Sequence, residues 1–156
     1  MIYAIYRDKV YLANIRQLKV RLKTRIPEVG FNKLIDLAGN IHDDIFIKEV
    51  NIDDVSLIYE TDYRATYQGS EYKCLNVTKK ALYSNRITIY TNDSNIAEQY
   101  GFAKIEQFVY DKDIPLDEID TLVEIRKPIQ TFRNAEAKIT VIQKNDIRGY
   151  LSNIIE

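Results

Sequence analysis

The sequence has very few of the side chains that build metal centres and covalent cross-links. It contains one cysteine, one histidine and no tryptophan among 156 residues. A single cysteine excludes an internal disulfide and a cage of several thiolates, and a single histidine leaves no second imidazole for a transition-metal site. We therefore expect no metal and no cofactor, and a fold that depends on its hydrophobic core.

Long apolar stretches and a strong excess of one charge are also lacking. No apolar run approaches the roughly 18 residues that a membrane-spanning helix needs, and no early segment has the pattern of a signal peptide. The formal net charge is −1, so no overall field marks the chain as nucleic-acid-binding. We expect a cytoplasmic protein with no membrane partner, for which nucleic acid is a disfavoured partner.

Tyrosine, by contrast, is abundant. The chain has twelve tyrosines and five phenylalanines, with 46% hydrophobic and 29% charged residues. This balance is typical of a globular protein, and the tyrosines favour half-buried β-strands.

The charges are arranged in alternating blocks. Residues 1–42 carry eight Lys/Arg against three Asp/Glu, and residues 43–62 carry one against seven. Residues 63–91 then carry five against one, and residues 92–124 carry two against nine. The alternation occurs twice, which prompts a search for an internal repeat.

Four blocks recur in the same order. The matches are Ala4-x-Tyr6-xxxx-Tyr11 with Ala65-x-Tyr67-xxxx-Tyr72, Val20-x-Leu22-x-Thr24 with Ile87-x-Ile89-x-Thr91, Gly30-Phe31-x-Lys33 with Gly101-Phe102-x-Lys104, and residues 48–55 with 112–119. We interpret the chain as a tandem duplication, with units of residues 1–61 and 62–126 followed by a tail, 127–156.

Each unit predicts the same series of strands. A hairpin of two alternating segments is followed by a third strand, a fourth strand, an acidic single turn and a fifth strand. The predicted strands are residues 2–6, 10–14, 19–24, 45–50 and 55–60, and then 63–67, 71–75, 86–91, 107–114 and 119–125. This is the plan of a small SH3-like barrel, so we predict a mainly β, β-rich α+β chain with two tandem SH3-like units.

Two helices are also predicted. In the second unit, Asp93 or Ser94 is a suitable N-cap for a short helix that ends at Gly101. In the tail, residues 139–142 predict a strand, and Asn145 or Asp146 begins a helix with one apolar face. The residues of that face are Ile147, Tyr150, Leu151, Ile154 and Ile155. We expect this C-terminal strand and helix to pack on the barrels.

Candidate catalytic residues are few. His42 could act as a general base or activate Cys74 as a nucleophile, but His42 is expected in a loop that only the first unit has, and no third orienting group is evident. Gly69 belongs to no glycine-rich phosphate-binding motif. We interpret Gly69 as a turn residue and Cys74 as an incidental strand position, and we predict that the protein is not an enzyme.

Clustered charges offer binding sites instead. Lys19, Arg21 and Lys23 alternate along one side of a strand and could contact phosphates, although a solvated outer face is commoner. Several paired carboxylates lack calcium-loop spacing, and a solvated acidic face is their expected role; they are Asp43/Asp44, Asp53/Asp54 and Asp111/Asp113.

The second unit resembles a known kind of protein. Its motifs A-x-Y-x-G-x-E-Y, R-I-T-I-Y-T-N-D, Y-G-F-x-K and K-D-I-P-L-D-E-I are similar to those of small bacterial immunity proteins. Such proteins are encoded beside contact-dependent growth inhibition and other polymorphic toxins, and some look like tandem SH3-like units. The first unit departs from the pattern, with Asp8 at the turn glycine and no helix before Gly30.

The resemblance implies a protein that binds a cognate toxin C-terminal domain, in many cases a nuclease, and covers its active site. An acidic surface would suit the basic cleft of a nuclease and speed association. The expected toxin-binding residues are Asp43, Asp44, Asp53, Asp54, Tyr59, Glu60, Asp62, Asp111, Asp113, Asp117, Glu118, Asp120 and Glu124, with Tyr63, Phe108 and Tyr110 as further aromatic anchors.

Two alternatives remain open. An SH3-like nucleic-acid or ribosome-associated adaptor is favoured by the positive blocks on the first three strands of each unit. An acidic mimic of nucleic acid from a mobile element would present carboxylates to a basic cleft in the same way. Edge strands would also allow a homodimer by strand addition.

Overall fold

A computed structural model describes residues 1–156 and shows a mainly β protein, as predicted. The first elements are β1 (Ile2–Tyr6), β2 (Lys9–Arg16), β3 (Lys19–Thr24), β4 (Asn32–Ile35), β5 (Ile41–Asn51), a 3-10 turn (Ile52–Asp54) and β6 (Leu57–Tyr67). The next are β7 (Ser70–Leu75), α1 (Lys80–Ser84), β8 (Arg86–Thr91), α2 (Ser94–Tyr100), β9 (Ala103–Glu106), β10 (Val109–Pro115), a 3-10 turn (Leu116–Glu118) and β11 (Thr121–Pro128). Two more 3-10 turns (Gln130–Phe132 and Lys144–Asp146), β12 (Lys138–Gln143) and α3 (Ile147–Ser152) complete the chain. None of the helices has the length and apolar character that crossing a bilayer requires.

The chain forms two compact units. Unit 1 comprises residues 1–61, 126–137 and 155–156, and unit 2 comprises residues 62–125 and 138–154. The limit between residues 61 and 62 is also the limit between the two sequence repeats. Strand β6 crosses this limit, so that its first part belongs to unit 1 and its second part to unit 2.

Both units have the same antiparallel strand order. In unit 1 the order is β6, β1, β2, β3, β5 and β4, and in unit 2 it is β11, β6, β7, β8, β10 and β9. The fifth strand of the predicted plan therefore returns after the 3-10 turn to pair with the first, as an SH3-like arrangement requires. One extra strand, β4 or β9, pairs with the fourth.

The register is the same as well. Ala4 lies opposite Tyr11 as Ala65 lies opposite Tyr72, and Leu22 lies opposite Lys48 as Ile89 lies opposite Lys112. Because a shift of one residue would turn every side chain to the other face, the matching registers place equivalent side chains in equivalent environments.

Each unit has its own hydrophobic core. Residues of the unit 1 core include Ala4, Val20, Leu22, Val50 and Ile58, with Ile129 and Phe132 packed against it. The unit 2 core includes Ala65, Ile87, Ile89, Ile114, Ile119 and Leu122 together with Ile142, Ile147, Leu151 and Ile154 of the C-terminal strand and helix. The alternating apolar positions of the predicted strands thus face the interior.

The repeated aromatic residues contact each other. Tyr11 stacks on Phe31 with ring centroids 5.3 Å apart, and Tyr72 meets Phe102 at 5.4 Å. Both units also place a lysine over the first tyrosine of the repeat. Lys48 Nζ lies 5.2 Å from the centroid of the Tyr6 ring, and Lys112 Nζ lies 5.4 Å from that of the Tyr67 ring. The spaced tyrosines, the Gly-Phe pair and the lysine therefore form one packing motif in each unit.

The first hairpin of each unit turns in two residues with positive φ. These are Arg7 (49°) and Asp8 (63°) in unit 1, and Gln68 (49°) and Gly69 (81°) in unit 2. Such turns match the twist of the strands but favour glycine. The interpretation of Gly69 as a turn residue is confirmed.

The helix predicted in unit 2 is confirmed with its caps. Asp93 Oδ1 accepts hydrogen bonds from the backbone N–H groups of Asn95 at 2.8 Å and Ile96 at 3.2 Å. Gly101 closes the helix in the left-handed conformation, with φ of 72°. An aspartate at this position satisfies backbone donors that would otherwise lack partners.

Several boundaries differ from the prediction. Strands β4 and β9 and helix α1 were not predicted, and β6 is one strand where two were expected. The strand predicted over residues 45–50 is β5, and it begins at Ile41. Helix α3 ends at Ser152, so that Ile154 and Ile155 lie beyond it. Asp146 is its N-cap residue, but the side chain makes no capping bond.

Candidate functional site

Each unit exposes a short acidic turn at the same place in the fold. Asp53 and Asp54 lie in the 3-10 turn that follows β5, and Asp117 and Glu118 lie in the turn that follows β10. One apolar residue of each turn, Ile52 or Leu116, is buried, so the carboxylates point outward. We call these two segments the acidic turns.

Most acidic-turn carboxylates have no basic partner. Asp53, Asp54 and Glu118 are exposed and form no ion pair, and Asp120 next to the second turn is in the same state. Asp117 is 3.5 Å from Arg148 Nη2, at the outer limit of a hydrogen bond. Unpaired exposed carboxylates are strongly hydrated and free to meet a cationic partner.

Other predicted acidic residues are paired within the chain. Asp43 accepts a bond of 2.5 Å from Lys33, which lowers the pKa of this carboxyl, and Asp44 accepts one of 2.7 Å from Arg25. Asp113 accepts a bond of 2.6 Å from Thr88 and lies 3.3 Å from Arg86. These residues present less net charge than the sequence suggests. Of the remaining predicted carboxylates, Glu60 and Asp62 are exposed and Asp111 is half-buried.

The acidic block of unit 1 is not one cluster. Asp43 and Asp44 lie near the start of the eleven-residue strand β5, whereas Asp53 and Asp54 follow its end. Ten residues of extended chain span about 30 Å. Neighbours in the sequence are therefore distributed to opposite ends of a strand.

Two predicted contact residues are buried, and their assignment to an exposed binding face is wrong. Tyr59 is 2% exposed because its ring stacks on Tyr3 at 5.5 Å, with the Arg126 guanidinium 5.2 Å away. Glu124 is 5% exposed and accepts a hydrogen bond from the Tyr150 hydroxyl. Burial, together with the bond to Glu124, raises the pKa of Tyr150 well above its usual value.

The further aromatic anchors differ in exposure. Tyr63 is buried, with its hydroxyl 2.8 Å from that of Tyr150, and it is therefore excluded as an anchor. Tyr110 is half-buried, whereas Phe108 is 66% exposed in the turn between β9 and β10.

His42 and Cys74 occupy ordinary structural positions. His42 lies in strand β5 and not in the expected loop, and its Nε2 is 3.1 Å from Asp36 Oδ2. Hydrogen bonds from Asn40 and then His42 lower the pKa of Asp36 to about 2. Cys74 is the counterpart of the buried Ala13, and burial raises the pKa of its thiol to about 12. A thiol with that pKa holds very little thiolate at neutral pH.

The basic strand of unit 1 is partly compensated by its neighbour. Arg21 lies opposite Glu49 on β5, and Lys19 donates a bond of 2.6 Å to Asn51. Arg7 and Lys48 are different, because both lie close to the Tyr6 ring, at 5.1 and 5.2 Å, and neither forms an ion pair.

Unit 2 also contains a groove that sequence reasoning missed. It has a volume of about 620 Å³ and lies beside β7, the end of β8 and α2. Rings and neutral polar groups dominate its lining, among them Tyr72, Tyr90, Tyr100, Ser70, Asn92 and Gln99. The volume falls within the range of ligand-binding clefts.

The same place in unit 1 is bridged by an ion pair. Lys9 donates to Glu28, and the Tyr11 hydroxyl donates to the second Glu28 oxygen at 2.6 Å. Burial, together with the bond to the Glu28 carboxylate, raises the pKa of Tyr11 to about 12. In the alignment of the two repeats, Lys9 corresponds to Ser70 and Glu28 to Gln99, which form no such bridge. The replacement of an oppositely charged pair by two neutral residues is the sequence difference that could have predicted the groove.

No group of three or more His, Cys, Asp or Glu side chains is placed to hold a metal ion.

One family model, described as "Uncharacterised conserved protein UCP033725", matches residues 1–132. No curated protein matches the chain, and no solved structure does. The family match covers both sequence repeats.

Proposed function

Because the chain belongs to the family of uncharacterised conserved proteins UCP033725, whose description names no activity, we propose a function from the surface of the protein. The proposal is an immunity protein that binds a cognate toxin domain, in particular a nuclease, and covers its active site. The observation that carries it is the pair of acidic turns, which present unpaired carboxylates at the same place in both units.

Physical chemistry makes acidic turns suitable for this role. A nuclease must hold phosphate and so has a cationic cleft, to which exposed carboxylates are attracted over distances of about 10 Å at 0.1 M salt. Such attraction chiefly increases the association rate. A fast association rate is what a cell needs to intercept an incoming toxin.

The test begins with the reading frame immediately upstream of the gene. Its C-terminal domain would be expressed in a host cell with and without this protein. We expect the domain alone to stop growth and coexpression to restore it. Absence of a toxic domain there, or toxicity that coexpression does not relieve, would contradict the proposal.

The acidic turns are tested separately by association kinetics. The variant Asp53→Asn/Asp54→Asn/Glu118→Gln should lower the association rate at low salt by about tenfold or more. The matched control, Asp43→Asn/Asp44→Asn/Asp113→Asn, removes carboxylates that already have basic partners. An equal effect of both variants would reject the acidic turns while leaving the immunity role in place.

A nucleic-acid or ribosome-associated adaptor is the second candidate. It is favoured by Arg7 and Lys48, an exposed and a half-buried cation that form no ion pair and lie within 5.2 Å of the centroid of the buried Tyr6 ring. Fluorescence anisotropy with a labelled single-stranded RNA should then show micromolar binding that weakens steeply from 50 to 200 mM salt. No binding at 50 mM salt would reject this candidate.

A further inference from the structure

The groove of unit 2 lies where two paired strands separate. The ladder between β7 and β8 joins Lys73–Leu75 to Thr88–Tyr90 and goes no further. Ser70, Glu71 and Tyr72 pair with β6 on one side but have no partner on the β8 side. One side of this main chain is therefore open along the groove.

The side chains around the opening are suited to a polypeptide. Asn92 donates to the Phe108 carbonyl at 2.7 Å and Gln99 to the Tyr100 hydroxyl at 3.3 Å, which leaves their amide oxygens as acceptors. The Tyr72 hydroxyl makes no hydrogen bond within the protein, whereas the hydroxyl of its counterpart Tyr11 is bound to Glu28. Tyr90, Tyr100 and Ile96 supply an apolar wall next to these polar groups. Unsatisfied main-chain groups at a strand edge, with a pocket for an alternate side chain, are the features of strand-addition sites.

Comparison with unit 1 shows that the opening is not required by the fold. Unit 1 has the same separation, since its β2–β3 ladder stops at Leu12 and Lys23. There the Lys9–Glu28 pair lies across Tyr11, with Lys9 Nζ 5.4 Å from the ring. The same framework is thus bridged in unit 1 and open in unit 2.

We propose that the groove of unit 2 binds an extended peptide segment of a partner protein. The segment pairs with the open side of residues 70–72 and places an apolar or aromatic side chain against Tyr90, Tyr100 and Ile96. The inference does not depend on the acidic turns, because none of the carboxylates of those turns lines the groove.

The experiment uses the pseudo-symmetry of the protein. A phage-displayed library of random twelve-residue peptides would be selected on the full chain, and the enriched peptides would be labelled for fluorescence anisotropy. The variant Ser70→Lys/Gln99→Glu transfers the ion pair of unit 1 to unit 2. It should reduce affinity at least tenfold without loss of folding, because both residues are exposed. Tyr100→Ala, which removes a ring that is 41% exposed at the groove, should reduce affinity about fivefold.

The reverse exchange is the control. Lys9→Ser/Glu28→Gln removes the bridge of unit 1 and should leave affinity for peptides selected on the native groove within twofold. Chemical-shift changes on peptide addition should centre on residues 70–73 and 90–100. Failure to enrich any peptide, equal binding to the bridged variant, or shifts centred elsewhere would each overturn the proposal.

Discussion

Unit 1 and unit 2 share a framework and differ in what lies over it. Strand order, register, the Tyr–Phe contact and the Lys–Tyr contact are the same in both. Over the second tyrosine, unit 1 carries an ion pair on a short loop, whereas unit 2 carries helix α2 and a groove. The comparison separates the residues that make the fold from those free to acquire a function.

The lysines show a graded form of this difference. In unit 2 Lys112 also donates a bond of 2.8 Å to the Tyr100 carbonyl, at the end of α2. In unit 1 there is no helix at that place, and Lys48 lies near Gly30 and donates no such bond to a carbonyl. A residue of the common framework has thus gained a second role, which is to hold the inserted helix.

The largest expected effect tests whether the two cores are equivalent. Leu22 and Ile89 occupy the same register position and are both 0% exposed. We expect Leu22→Ala and Ile89→Ala each to lower the free energy of unfolding by about 2–5 kcal/mol, because each leaves a cavity. Chemical denaturation gives the size, and hydrogen exchange should locate the loss of protection in β2–β3 or β7–β8.

Leu18→Ala is the control for the core variants, since Leu18 is 70% exposed. Its effect should stay below about 0.5 kcal/mol. A large loss from one core variant with less than about 1 kcal/mol from the other would break the equivalence of the units.

A smaller effect is expected at the first hairpin turns. Gly69→Asp puts an aspartate at φ of +81°, where a new side chain meets no neighbouring atom, so only the backbone preference is changed. We expect it to destabilise the protein by about 1 kcal/mol and Asp8→Gly to stabilise it by up to about the same amount. Thermal unfolding of the two variants and of the double exchange measures both signs. The same sign for both variants would contradict the account.

The smallest effect concerns acid. Burial of Glu28 opposes its ionisation, but the bonds from Lys9 and Tyr11 prevail and lower its pKa below the ordinary value of a glutamate. The stabilisation is therefore present above that value and is lost as the pH falls below it. Glu28→Gln should flatten the decrease of stability between pH 6 and 3, as followed by urea denaturation. Glu98→Gln, on the exposed surface of α2, should leave the slope as it is in the native protein.

The framework could be predicted because its residues are periodic. Residues 19–24 and 86–91 were predicted as strands and coincide with β3 and β8, since Val20, Leu22, Ile87 and Ile89 alternate and are buried. Strands β4 and β9 gave no such signal because nearly all their side chains are exposed. They are held by main-chain bonds to β5 and β10.

The candidate site was predicted less well for two physical reasons. Tyr59 and Glu124 were assigned to the surface because the residues around them are charged. Along their strands, however, Tyr59 lies on the same face as the buried Thr61 and Tyr63, and Glu124 lies on the same face as the buried Leu122. The alternation of buried and exposed side chains along a strand predicted these two positions better than the local charge did. The groove was not predicted because the two repeats are offset by different amounts on either side of the inserted helix. Ser70 follows its counterpart Lys9 by 61 positions, whereas Gln99 follows Glu28 by 71. The replacement of the Lys–Glu pair by Ser and Gln is therefore visible only once that helix is known.

The division of the tail between the units sets the order in which they can be completed during synthesis. Ile129 and Phe132 pack against the core of unit 1, and the Ile129 N–H is bonded to the Ile58 carbonyl. At typical translation rates, Ile129 leaves the ribosome roughly 3 to 14 seconds after Thr61. The unit that is made first must therefore wait for a segment encoded beyond nearly all of the second, and a nascent chain exposes the edge of its Ile58 strand throughout that interval.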